Sequence, residues 1–154
     1  LDQKYGTKPY TVHPQAVRDV LESYGYLGDY LPAAWLHDAV EDTITKRETI
    51  AVAWGESVAQ LVWAVTGQGA NRTARIADAH EKLRAYPRAI PLKLADRIAN
   101  SEASAAGKTK REASLLAMYR EELPAFEAAL LHGLEEHSEQ RMWARLRAAL
   151  GSGR

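Results

Sequence analysis

Apolar residues recur along this chain at spacings of three and four and rarely alternate, so helices account for the pattern and strands find little support. The first ten residues, with Gly6 and Pro9, read as a loop. Pro14 suits a helix start, and Val17, Val20, Leu21 and Tyr24 continue at helical spacing to Gly25. A second helix is expected over Leu31–Glu41, with Pro32 in its first turn and Ala33, Ala34, Leu36 and Val40 as its apolar body. A third should begin near Thr45, an N-cap candidate with Glu48 three residues on as a capping box. Gly55 interrupts it, and Ser57–Thr66 continues through Val58, Leu61, Val62 and Val65.

Gly67–Asn71 is the clearest loop, followed by helix over Ala74–Tyr86 and a break at Pro87–Pro91. Helix resumes from Leu92 to Ala105 and ends near Gly107. Lys110–His132 is long and amphipathic, with Leu115, Leu116, Tyr119, Leu123, Phe126 and Leu130 on its buried side and a kink expected at Pro124. Glu135–Leu150 forms a last helix, and residues 151–154 a frayed tail. The fold class that follows is all-α: a compact helical bundle, one domain over residues 1–150.

Composition narrows the function. Of 154 residues, 46% are hydrophobic and 26% charged, which suits a soluble globular domain. Twenty basic residues balance twenty acidic ones, so no whole-molecule attraction to nucleic acid or to an anionic membrane is expected. Without cysteine, disulfides, thiolate zinc sites, iron–sulfur clusters and cysteine nucleophiles are excluded. Apolar stretches break well before the ~20 residues of a membrane span, and no signal peptide stands at Leu1–Gly6, so the cytoplasm is the expected location. Whether copies associate into a homo-oligomer is left open by the sequence.

Chemistry gathers in three segments: residues 9–14 (Pro-Tyr-Thr-Val-His-Pro), 36–43 (Leu-His-Asp-Ala-Val-Glu-Asp-Thr) and 93–100 (Lys-Leu-Ala-Asp-Arg-Ile-Ala-Asn). Each sets a histidine or carboxylate in apolar, helix-forming sequence, where charge is expensive unless paired or bound to a cation. On a helix, His37 and Asp38 point about 100° apart and can reach one cation beside it. Glu41 and Asp42 lie one turn further on. The three carboxylates would repel one another without a cation, and a divalent metal removes that conflict. His13, before a proline at a helix start, can point into the bundle, and Asp96 lies on the inner side of a helix marked by Leu92, Ala95 and Ile98. Two histidines and two carboxylates suit Mn²⁺, Fe²⁺, Co²⁺ or Zn²⁺ better than Ca²⁺.

The order His…His-Asp…Asp resembles that of the HD-domain metal-dependent phosphohydrolases. The three segments, with Val65-Thr66 before the Gly67–Asn71 loop, resemble the hydrolase domain of RelA/SpoT enzymes and the small alarmone hydrolases over about residues 4–130. The resemblance implies that His13, His37, Asp38 and Asp96 are the four protein ligands of one metal, usually manganese (Mn²⁺). It implies that Glu41 and Asp42 position or deprotonate the attacking water and that Asn100 contacts the nucleotide. The implied reaction removes the 3′-pyrophosphate of ppGpp or pppGpp, returning GDP or GTP. A small-molecule pyrophosphate substrate needs cations; Lys4, Lys8, Arg72, Arg75, Lys93 and Arg97 are candidates, with Arg72 and then Lys8 favoured. Arg97 can instead pair with Glu41, Asp42 or another bundle carboxylate.

Lys4, Lys8, Ala99 and the 67–75 loop depart from the family's usual pattern at the nucleotide-recognition edge. They admit an alternative phosphorylated nucleotide, such as NADPH or a purine polyphosphate. A noncatalytic regulatory module is a third reading, opposed by the paired Glu41 and Asp42. Among other residues, His80 is expected to be exposed between Asp78, Glu81 and Lys82, and Trp35, Trp54, Trp63 and Trp143 to serve core or interface.

Overall fold

The computed structural model describes residues 4, 5, 8, 9, 12–38, 44–131 and 136–151. It is all-α, as the periodicity predicts, apart from one small β pair. Within the stretch read as a loop, β1 (Lys4–Tyr5) and β2 (Lys8–Pro9) pair antiparallel, Lys4 opposite Pro9 and Tyr5 opposite Lys8.

The helices are α1 (Val12–Ser23), α2 (Tyr30–Leu36), α3 (Ile44–Trp54), α4 (Glu56–Val65), α5 (Arg72–Ala85), α6 (Ile90–Ala106), α7 (Lys110–Leu130) and α8 (His137–Leu150). A 3₁₀ turn over Pro87–Ala89 joins α5 to α6, and Pro91 sits in the first turn of α6, where a missing N–H costs nothing. The central helix is α6. Leu92, Leu94, Ala95 and Ile98 are fully buried where α1, α7 and α8 pack around it.

Among the boundaries that differ from the sequence reading, two change the place of named residues. The second helix stops at Leu36 rather than Glu41, and His37 and Asp38 stand in the turn after it. The helix expected at Thr45 begins one residue earlier, so Thr45 lies inside α3 and is not its N-cap. Gly55 does separate α3 from α4; its φ of +98° is a backbone state that side chains with a Cβ rarely adopt. α7 runs through Pro124 to Leu130, burying Tyr119, Leu123, Phe126 and Leu130.

The tryptophans divide. Trp143 is fully buried against Phe126, ring centroids 4.9 Å apart, while Trp35 and Trp54 are exposed. Trp63 is half-buried beneath the Lys82 ammonium, 3.9 Å from the ring centroid. His80 is also not where expected. It is buried and stacks on Phe126 of α7, because Ala79, His80 and Leu83 form the inward face of α5.

Candidate metal centre

His13 enters from the first turn of α1, His37 and Asp38 from the turn closing α2, and Asp96 from the middle of α6. α1 packs on both α2 and α6, which brings residues 83 apart in sequence to one point. Asp96 Oδ1 lies 2.8 Å from His13 Nε2 and 3.2 Å from His37 Nε2. Asp38 closes the ring, Oδ2 3.3 Å from His13 Nε2 and Oδ1 3.3 Å from His37 Nε2. One ligand atom from each of the four residues lies within 4.8 Å of all the others.

The imidazole of His37 tests whether this set fits a metal. Its Nδ1 lies 2.6 Å from the carbonyl of Ala34, which can only accept, so Nδ1 carries the proton. In the neutral ring Nε2 then presents a lone pair toward two carboxylates. That arrangement of acceptor against acceptor needs a cation at its centre. Protons alone can supply one. Burial works against the imidazolium, but the Asp96 hydrogen bond and the Asp96 and Asp38 charges raise the His37 pKa to about 9. A divalent ion does the same with more charge, and a backbone carbonyl fixing the remote ring nitrogen is the usual support for a metal-binding histidine. The donor set of two imidazoles and two carboxylates fits a divalent ion of mixed nitrogen and oxygen preference.

The two carboxylates are not equivalent. Burial disfavours the charge of Asp96, but hydrogen bonds from His13 and His37, with the charges of His37 and Lys93, hold it well below the ordinary carboxylate range. Asp38 is 38% exposed, yet burial and the adjacent Asp96 charge raise it against the pull of His37, His13 and Lys93. Along α6, Lys93 stands three residues before Asp96 and Asn100 four after it, so all three share one face. Asn100 donates its amide to Asp96 Oδ1 at 3.2 Å, which steadies that carboxylate.

A second polar group stands beside this ring. Glu122 of α7 accepts from Arg72 Nε at 2.7 Å and Nη2 at 2.9 Å, and from Arg97 Nη1 at 3.1 Å. So Arg97 pairs with a bundle carboxylate, as one expectation had it. Its guanidinium lies over Tyr119 and Phe126, 5.1 and 5.2 Å from the ring centroids. Arg72 opens α5, where Asn71 caps the helix through Ala74 N at 2.8 Å. Asp78 takes the N–H of Gln68 at 2.9 Å, and a Cβ on Gly67 would collide with the backbone of Arg75. The 67–71 loop is thereby drawn tight.

Four expected site residues lie beyond this description. Glu41 and Asp42 are outside the described residues, and for Lys4 and Lys8 only the backbone pairing is described. Sequence reasoning passed over Glu122. It stands three residues after buried Tyr119 and four before buried Phe126, so the stripe spacing carried the signal.

The HD domain family model matches residues 2–119. The chain belongs to the HD-domain family. It is 40% identical over 105 residues to a guanosine-3′,5′-bis(diphosphate) 3′-pyrophosphohydrolase of Aquifex aeolicus, an alignment covering 64% of this chain and 15% of that protein. It is 42% identical over 60 residues to the Danio rerio protein of the same description, covering 38% of this chain and 33% of that one. The chain thus spans a third or less of either relative. A crystal structure of lmo0812 from Listeria monocytogenes EGD-e superposes with a TM-score of 0.66 at 24% identity, covering 92% of this chain and 98% of that one. That likeness extends the common fold over nearly the whole length.

Proposed function

We propose that this HD domain hydrolyses the 3′-pyrophosphate of guanosine polyphosphate alarmones, releasing pyrophosphate and GDP or GTP. The observation that carries the reading is the meeting of His13, His37, Asp38 and Asp96 at one point, with Lys93 and Arg72 beside it. The names of the relatives supply the substrate class.

His13, His37, Asp38 and Asp96 would hold the metal, for which Mn²⁺ is the family expectation. When bound, such an ion supplies a Lewis acid that makes water a better nucleophile and offsets charge on the phosphoryl group. Lys93, half-buried and without an ion pair among the described residues, receives substrate phosphate together with Arg72. Asn100 keeps Asp96 oriented and borders the nucleotide. Glu41 and Asp42 take the proton from the attacking water, a role typically worth roughly 10²–10⁴ in rate. The bond between the 3′ oxygen and phosphorus breaks, and the sugar oxygen leaves as a hydroxyl.

The test is a panel of ppGpp, NADPH and purine polyphosphates assayed with Mn²⁺ and with chelator. Mn²⁺-dependent conversion of ppGpp to GDP and pyrophosphate is expected. Turnover of another member with none of ppGpp overturns the substrate. Unchanged cellular activity after Glu41→Gln with Asp42→Asn overturns catalysis itself.

A further inference from the structure

We infer that Glu122 is a positioning residue: it holds Arg72 as the receptor for the substrate's pyrophosphate group. This rests on the reading that the site takes such a group. The inference starts from the geometry of the Arg72–Glu122–Arg97 group. Both Glu122 oxygens engage Arg72, through Nε and Nη2, so one edge of the guanidinium is fixed in its plane. Nη1, on the opposite edge, has no acceptor among the described residues.

Exposure falls along the group from solvent to core: the Arg72 side chain is 44% exposed, Glu122 17% and Arg97 6%. Arg97 anchors Glu122 from below and is itself held between Tyr119 and Phe126. The chain of contacts runs from an aromatic core to a cation at the surface, and it ties the start of α5 to α6 and α7. Arg97 is the residue after ligand Asp96, so the group is in register with the metal centre. Arg72 and Lys93 feel each other's charge, and Arg72 feels that of Asp96.

The charge count supports a receptor rather than a latch. Two guanidinium groups share one carboxylate, leaving a net charge of +1, and the Arg72 and Arg97 charges keep Glu122 ionised against its burial. A free arginine would lose rotamer freedom on taking a phosphate; Arg72 has lost it already. Coulomb's law alone predicts the opposite consequence for removing Glu122. Deleting a negative charge near an anion site should tighten anion binding, whereas loss of positioning should weaken it.

The experiment is a double-mutant cycle on Mn²⁺-loaded protein, with inorganic pyrophosphate binding measured by calorimetry. Glu122→Gln keeps the shape and one acceptor for Arg97, and thermal melts of each variant check that it is folded. Glu122→Gln and Arg72→Ala should each weaken pyrophosphate about tenfold, and the double variant should bind no more weakly than Arg72→Ala alone. Binding by Glu122→Gln as tight as wild type, or tighter, overturns the inference. So does a double variant that multiplies the two losses, or an Arg72→Ala variant that binds like wild type. With ppGpp as substrate, Glu122→Gln should raise KM about tenfold and keep kcat within about threefold. A loss confined to kcat overturns it. Wild-type protein that binds pyrophosphate in this way yet leaves ppGpp intact refutes the proposed activity and spares the inference.

Discussion

Asp96, largely buried, and Glu139, fully buried, are both carboxylates in a helical bundle, and their surroundings drive them in opposite directions. Around Asp96, three side chains from α1, the α2 turn and α6 converge on a single oxygen at 2.8 to 3.2 Å, and its acidity is greatly increased. Glu139, in the first turn of α8, has an Oε2 without a partner among the described residues and the like charge of Glu136 nearby. Burial and that repulsion raise it to about 7. Burial of charge therefore does not mark a functional site. What marks it is the price the rest of the fold meets to surround the charge: here two imidazoles held with their Nε2 atoms inward.

The sharpest way to break this contrast is Asp96→Ala. Metal that binds only the folded chain at a hundredfold excess over its Kd adds about 2.7 kcal/mol. For a chain of this size that raises Tm by about 5–10 °C. Wild type should show that rise with Mn²⁺ and lose it with chelator; Asp96→Ala should show none and lose Mn²⁺-dependent turnover. A full Mn²⁺ shift in the variant, read by differential scanning calorimetry, would place the ion elsewhere.

Glu139 offers the next largest effect. Its folded pKa lies above the unfolded value, so the folded chain binds more protons between about pH 4.5 and 7. Stability should fall as pH rises through that window and level off above it. Glu139→Gln should be more stable than wild type by about 1–3 kcal/mol at pH 8 and nearly equal to it at pH 4.5. Tyr26 and Tyr30 face the same region, the Tyr26 hydroxyl donating to Glu136 at 2.8 Å, and both titrate well above this window. Urea titrations at the two pH values measure the difference, and an equal gain at both would trace it to packing instead.

The same contrast explains what could be read from the sequence. His13, His37, Asp38 and Asp96 were legible because each interrupts an apolar helical pattern that gives a charge no solvent. Their meeting is set by the packing of α1 on α2 and α6, for which the motif order stood as proxy. The end of α2 was not legible. The ring N–H of His37 takes the carbonyl of Ala34, which a continuing helix would offer to the N–H of residue 38. A side chain positioned for the site thus competes with the helix that carries it. Glu139 was illegible for another reason, which also hid Glu122 despite the spacing of its stripe. An acidic residue on an amphipathic helix reads as solvated surface until the packing of a neighbouring helix is known, and α6, α7 and α8 bury these flanks. Arg97 was half legible: its need for a carboxylate followed from its place beside Asp96, but the choice of Glu122 depends on α7.

His80 gives the smallest effect at neutral pH and the clearest check on the sign of the others. It was expected to be exposed because Asp78, Glu81 and Lys82 surround it in sequence. The spacing of Ile76, Ala79, His80 and Leu83 instead turns it inward, onto Phe126 at 5.7 Å. Burial, aided by the charges of Lys93, Arg97 and Arg84, lowers its pKa to about 4. A base with a depressed folded pKa binds fewer protons in the folded chain between about pH 4 and 6.5, so stability falls as pH drops through that window. This slope is opposite to that of Glu139, and in wild type the two partly cancel between pH 4.5 and 6.5. His80→Phe keeps a flat ring against Phe126 and removes the titration. At pH 7.5 it should lie within about 1 kcal/mol of wild type, and at pH 5 it should gain about 1–2 kcal/mol on it. Glu139→Gln alone should then expose a chain that loses stability in acid, and His80→Phe alone one that loses it in base. Two variants with parallel pH profiles would mean that neither buried group sets the slope, and the opposition between well-surrounded and poorly surrounded charge would lose its support.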